Sequence, residues 1–140
     1  DVPSSYYTIE FGKAKTVMEG EDLSIITYGM GVHWATKIVK EMGVDADIVD
    51  LRTLAPLDFN TISETVKKTG RVLILHEDSL TGGIGGEISA WISEHLFEYL
   101  DAPVKRVGSL DIPIPFAPAL EKMFLPEGRL KWVIEELIRY

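Results

Sequence analysis

Arg71-Val72-Leu73-Ile74-Leu75-His76 runs straight into Glu77-Asp78-Ser79-Leu80-Thr81-Gly82-Gly83-Ile84-Gly85-Gly86-Glu87, and these residues decide the fold class. Four consecutive branched apolar residues lack the polar alternation of a half-wet strand, so they suit a strand buried on both faces, as in a parallel sheet. After the glycine-rich turn the period changes. Ile84, Ile88, Trp91, Ile92, His95, Leu96 and Tyr99 recur three or four apart and line one face of a long helix. Strand, turn and helix in that order make half of a βαβ unit.

The neighbouring segments repeat the pattern. Upstream, Leu23 to Tyr28 reads as a strand, and from Val32 the apolar positions Ala35, Ile38, Val39 and Met42 fall at helical spacing until Gly43 stops them. Ala46 to Leu51 is the next strand. Asp58 is placed to cap a helix that Gly70 ends, with Leu57 reaching forward to Ile62 as a hydrophobic staple. Further out, Ala14 to Met18 is a short strand before the polar turn Glu19-Gly20-Glu21-Asp22. Downstream, Pro103 to Val107 is a last strand, and the proline-rich loop Asp111 to Phe116 leads to a short helix near Leu120. Pro126 begins a final helix with the stripe Leu130, Val133, Ile134, Leu137 and Ile138. Strands alternating with such helices imply an α/β domain of three layers, α/β/α, with a largely parallel sheet and right-handed crossovers.

The chain has 140 residues, enough to bury roughly two-thirds of its unfolded surface in one core. With 46% hydrophobic and 26% charged residues, it is neither collagen-like nor disordered, and zero cysteines exclude disulfides and thiolate chemistry. The start, Asp1 to Phe11, has neither the basic opening nor the apolar stretch of a signal peptide. Residues 1–12 read as a linker from an upstream domain, and residues 13–140 as the domain itself. A net charge of -8 argues against nucleic acid and anionic membrane as partners and suits a basic protein partner.

Ligands of open parallel sheets gather at the carboxyl ends of strands, where two turns compete. Tyr28-Gly29-Met30-Gly31 joins strand to helix, and Asp50 follows at about the distance of a dinucleotide fold's ribose-binding acid. Trp34, however, stands where the third glycine of that fingerprint belongs. Nucleotide binding and a plain chain reversal both remain open here. In the second turn, four glycines in five positions permit close backbone approach and free amides, yet no lysine follows and Glu77, Asp78 and Glu87 oppose phosphate. A joint packed on another domain is the competing reading. His76, at a strand end, is either a general acid/base or a hydrogen-bonded structural histidine. His95 falls on the apolar face of its helix and reads as a core residue, and no cluster of His and carboxylates spells a zinc site.

Taken together, the motifs resemble the C-terminal domain of the beta subunit of thiamine diphosphate-dependent 2-oxo acid dehydrogenases, pyruvate and branched-chain type. The resemblance rests on Tyr7-Thr8-Ile9 with Gly12-Lys13-Ala14, Thr27-Tyr28-Gly29 with Gly31-Val32-His33, and Asp50-Leu51-Arg52-Thr53-Leu54 with Pro56-Leu57-Asp58. It continues through His76-Glu77, Thr81-Gly82-Gly83, Ala102-Pro103-Val104, Pro115-Phe116-Ala117 and Leu125-Pro126. It implies a transketolase C-terminal-type fold, a five-stranded mixed sheet in order 1-3-2-4-5 with strand 1 antiparallel.

It also implies an oxidoreductase that decarboxylates a 2-oxo acid and passes the acyl group to lipoamide, using thiamine diphosphate and magnesium. Their binding segments lie outside this chain, so no catalytic, cofactor or metal residue is carried over, and the fragment alone is expected to bind neither and to be inactive. The implied partners are the alpha part of the enzyme, a second beta copy, and the basic subunit-binding domain of the lipoyl acyltransferase. Asp101 and Tyr140 fall where docking residues are expected, and Tyr28, Gly29, Gly31, His76, Glu77, Gly82 and Gly83 form the implied interdomain loops. The implied location is the cytoplasm of a bacterium or the mitochondrial matrix of a eukaryote. The alternative is a free-standing flavodoxin- or Rossmann-like nucleotide-binding module.

Overall fold

The computed structural model describes residues 3–140; of the expected linker 1–12, residues 1 and 2 lie outside the described residues. Residues 3–14 carry neither helix nor strand. The elements are β1 (Lys15–Met18), β2 (Leu23–Thr27), α1 (Met30–Met42), β3 (Ala46–Asp50), α2 (Phe59–Thr69) and β4 (Val72–Ser79). They continue with α3 (Ile84–His95), a 3-10 turn (Phe97–Tyr99), β5 (Lys105–Ser109), α4 (Pro118–Phe124) and α5 (Glu127–Leu137).

The sheet runs β1-β3-β2-β4-β5, with β1 antiparallel to β3 and the other pairings parallel. This is the expected mixed sheet. Its middle strand β2 is wholly buried, covered by helices on both faces of the sheet. Leu23, Ile25, Leu73 and Leu75 face Trp34, Ala35 and Val39 of α1 and Leu130 and Ile134 of α5. Ile26, Val72 and Ile74 face Ile62 and Val66 of α2 and Ile88 and Ile92 of α3. Each fully buried Leu or Ile in these layers contributes roughly 1.5–3 kcal/mol.

Caps set the helix ends. Asp58 accepts from the Thr61 amide (3.2 Å) and hydroxyl (2.9 Å) and from the Ala14 amide (3.0 Å). Burial would raise its carboxyl pKa, but these hydrogen bonds outweigh burial and hold it below the ordinary value. Gly43 and Gly70 close α1 and α2 in the left-handed conformation. Two polar residues of β2 are buried: Thr27, whose Oγ1 has no hydrogen-bond partner among the described residues, and Ser24. The Ser24 hydroxyl meets the Thr65 carbonyl (2.9 Å) and the Thr69 hydroxyl (2.6 Å) of α2, so this buried polar group is satisfied.

Four sequence expectations are corrected. The chain segment from Glu77 to Ser79 is strand, not turn, because β4 continues alongside β5 to pair Ser79 with Ser109. Conversely, β5 begins at Lys105, so Pro103 and Val104 precede it. The long helix ends at His95, which is exposed and stacked on Trp91 (centroids 4.6 Å apart), while Tyr99 sits in the 3-10 turn under Lys67. Ile138 follows α5 and is exposed, although Leu130, Val133, Ile134 and Leu137 are buried as expected.

Candidate functional site at two edges of the sheet

The parallel strands β2 to β5 point their carboxyl ends to one edge, and the site candidates divide between that edge and the opposite one. At the carboxyl edge the order β3-β2-β4 makes the Gly29 turn and the end of β4 neighbours. The phenol of Tyr28 is pushed above its ordinary pKa by burial, then by the charges of Asp78 and Glu77. Gly31 has no room for a side chain, since a Cβ there would lie 2.0 Å from Thr27 Oγ1. That contact lets α1 sit close on β2. Asp50, paired in register with Thr27, turns its carboxylate to the Arg52 amide (3.1 Å), in a bend where Arg52 has φ 57. The acid that suggested a ribose ligand therefore closes an Asx turn.

His76 is wholly buried. Its Nδ1 lies 3.1 Å from the Asp78 carbonyl, which can only accept, so Nδ1 carries the proton and Nε2 is the bare nitrogen. Nε2 has no partner and faces Gly85, where a Cβ would stand 2.3 Å away. A Cβ on Gly83 or on Gly108 would lie 2.8 Å from the ring. Glycines from the turn, from α3 and from β5 thus enclose one imidazole. Burial drives its pKa below 6.5, Arg106 adds to this, and Asp78 opposes it. A general base must come within hydrogen-bond reach of its substrate. Here the neutral ring is a packing element between β4, α3 and β5. Gly82, at φ 79, turns the chain into this enclosure, while the carboxylate of Glu77 remains outside it in solvent.

The opposite, amino edge carries the two docking candidates. Asp101 is exposed, its amide bonds to the Gly70 carbonyl (2.8 Å), and its carboxylate fills the space beside Gly70. Tyr140 is exposed and lies close enough to Lys105, the first residue of β5, to raise the lysine's pKa. The chief cause of that rise is the 2.6 Å bond from Lys105 to Glu136. Asp101 and Tyr140 therefore share the end of the sheet where β5 begins, away from His76. Beside Asp101 lies an open groove of about 550 Å³ flanked by Phe97, Leu100 and Pro103.

Sequence reasoning passed over the exposed apolar side chains of residues 110–123, with Phe116 fully in solvent, and Phe97 beside the groove. Up to Pro118 their signal was apolar residues spaced by Pro113 and Pro115 with no helical or strand period to bury them, while Leu120 and Met123 stand on the short helix α4. No group of three His, Asp or Glu able to hold a metal ion occurs among the described residues, and no helix of these residues is long and apolar enough to cross a membrane.

Residues 12–129 match the transketolase C-terminal domain family. The chain is 45% identical over 129 residues to the 2-oxoisovalerate dehydrogenase subunit beta of Bacillus subtilis, covering 89% of this chain and 39% of that subunit. It is also 45% identical over 132 residues to the pyruvate dehydrogenase E1 component subunit beta of the same organism, covering 92% and 40%. Among solved structures it superposes on a split-gene transketolase described as an inactive beta4 tetramer, with a TM-score of 0.80 and 26% identity over 99% of this chain and 45% of that one. The chain spans less than half the length of each of these relatives. Strand order, the antiparallel opening strand and the extent of the sequence match agree, and on that ground the chain belongs to the transketolase C-terminal domain family, where it is similar to 2-oxo acid dehydrogenase beta subunits.

Proposed function

We propose that the chain is the C-terminal assembly and docking domain of the beta part of a thiamine diphosphate-dependent 2-oxo acid dehydrogenase, which decarboxylates a 2-oxo acid oxidatively and hands the acyl group to lipoamide. The observation that carries this is the equal identity, 45%, to beta subunits named for two different oxo acids. Equal likeness to both supports a shared structural role for the domain rather than selection of the substrate side chain.

The residues present do not fit the cofactor. Glu87 stands in the first turn of α3, where its charge opposes a diphosphate at the free amides, and the described residues hold no cluster of three His, Asp or Glu for magnesium. In this reading the chain contributes surfaces instead. The carboxyl edge packs against neighbouring domains, and the amino edge, with Asp101 and Tyr140, receives the basic subunit-binding domain of the acyltransferase. An exposed aromatic ring suits such an anchor because it buries much area for few rotamers, and the Asp101 carboxylate at the same edge can accept a forked bond from arginine.

Surface plasmon resonance on the full parent assembly tests it. Deleting Tyr140 is expected to weaken acyltransferase binding by roughly 2 kcal/mol or more, and Asp101→Asn to slow association at low salt. Decarboxylation with an artificial electron acceptor survives both changes. Unchanged binding in both variants refutes the docking role.

A further inference from the structure

We propose that the loop between β3 and α2, residues 51–58, is a clamp on the polypeptide that enters the domain: Thr53 and Asp58 are positioning residues that hold residues 12–14, and Gly12 is the pivot that aims what precedes them. This rests on the functional reading above, in which further polypeptide of the same chain comes before residue 1.

The point of entry follows from strand direction. β1 runs antiparallel to β3, and Lys15 at its start pairs with Asp50 at the end of β3, so the chain arrives at the carboxyl edge of the sheet. There the loop turns back to meet it. Asp50 accepts from the Arg52 amide (3.1 Å), Arg52 takes the left-handed conformation at φ 57, and the Thr53 amide donates to the Leu51 carbonyl (2.5 Å). A non-glycine residue in that conformation is uncommon, and these local hydrogen bonds hold it there. Thr53 Oγ1 accepts from the Gly12 amide (2.9 Å), and the Asp58 carboxylate accepts from the Ala14 amide (3.0 Å). The two bonds join residues 41 and 44 positions apart in the chain.

Alternate amides of an extended chain point the same way, so residues 12 and 14 offer both donors to one loop while the side chain of Lys13 is exposed. Asp58 is at the same time the cap of α2, which ties the clamp to the frame of the domain. The clamp ends at a glycine. Gly12 has φ 70, a conformation that side chains disfavour, and a Cβ there would lie 3.0 Å from Pro56 Cγ. The backbone therefore changes direction at Gly12 while it is packed on the loop that holds it. Ahead of this pivot, Pro3 to Phe11 are exposed and carry neither helix nor strand. Two hydrogen bonds and one left-handed glycine thus set the direction in which the earlier polypeptide leaves the domain.

The test is limited proteolysis of the full-length parent with chymotrypsin, which cuts extended chain after aromatic residues. Cleavage after Phe11 places residues on both sides of that bond in the protease, so Gly12 and Ala14 must first leave the clamp; cleavage after Tyr7 lies outside the clamp and serves as the internal reference. Thr53→Val keeps the shape of the side chain and removes the acceptor, and is expected to raise the ratio of the Phe11 cut to the Tyr7 cut about fivefold, the effect of one hydrogen bond. Thr53→Ser is expected to restore the wild-type ratio. Asp58→Asn keeps one oxygen for the Thr61 amide but loses the acceptor facing Ala14, and is expected to raise the ratio by a similar factor. A ratio that neither Thr53→Val nor Asp58→Asn moves, or a Phe11 cut absent from every variant, overturns the clamp and leaves the functional reading standing. A rise accompanied by new cuts throughout the domain reports general unfolding and also overturns the clamp. A parent with no polypeptide ahead of residue 1 overturns both.

Discussion

Replacing Gly85 with alanine puts a methyl carbon 2.3 Å from Nε2 and 2.5 Å from Cδ2 of His76, and 3.3 Å from Cγ2 of Ile74. The imidazole has nowhere to retreat, because Gly83 and Gly108 sit against its other side with space for no Cβ of their own. The first turn of α3 must lift from β4 instead. Overpacking a core position costs about 1–3 kcal/mol, and so close a contact with an enclosed ring belongs at the upper end. Against this, alanine gains up to about 1 kcal/mol over glycine in a helix. The net loss expected is therefore about 2 kcal/mol. His76→Ala alone is also destabilising, through the cavity it leaves, but in that background the methyl of Gly85→Ala enters vacated space. There the second substitution is expected to be neutral or stabilising by up to about 1 kcal/mol. Urea unfolding of the wild type, both single variants and the double variant gives the coupling directly, provided the m-values agree. Additivity within about 0.5 kcal/mol would refute the idea that the glycines exist to enclose the imidazole.

The same enclosure predicts a pH dependence. Burial lowers the pKa of His76 below 6.5, so the unfolded chain takes up a proton at higher pH than the folded one. The resulting stability is fully present above 6.5 and is lost as pH falls through the lower, folded value; urea midpoints measured downward from neutral pH should decline more steeply in the wild type than in His76→Gln. Asp58→Ala removes the cap of α2 and the partner of the Ala14 amide together, and is expected to cost about 2 kcal/mol at neutral pH. Because the carboxyl pKa of Asp58 is depressed in the fold, that difference shrinks in acid as the wild-type carboxylate protonates; an acid-independent cost would contradict the assignment. At Gly20 the obstacle is backbone, since a Cβ would lie 2.3–2.6 Å from the C, N and O atoms of Ala46. Gly20→Ala is expected to lose about 3 kcal/mol or more, and Ala46→Gly to give no rescue in thermal melting.

Much of the architecture is legible in one dimension because its signals are local. The uninterrupted Val72-Leu73-Ile74-Leu75 run, the change to helical period after Gly83, the Asp58 cap and the stops at Gly43 and Gly70 each depend on residues within a turn or two. Periodicity failed where it outlived its element. Leu96 is buried and continues the helical spacing, so the pattern carried His95 and Tyr99 into the core with it. The chain actually leaves α3 to reach the start of β5, and both rings stay outside. Polarity misled at Glu77 and Asp78 for a similar reason. They read as turn residues, yet β5 supplies the neighbour that keeps this stretch of β4 extended.

The amino-acid sequence by itself determined the element types, the buried faces of the central strands and the family resemblance, because apolar period and capping chemistry act over a few residues. Only the tertiary structure decided what His76 is. Its neighbours Gly83, Gly85 and Gly108 come from a turn, a helix and a distant strand, and their joint approach removes the room that any other side chain would need. It also divided the candidate residues between two edges of the sheet, since an edge is made by strand order, and strand order is a matter of pairing between segments far apart in the chain.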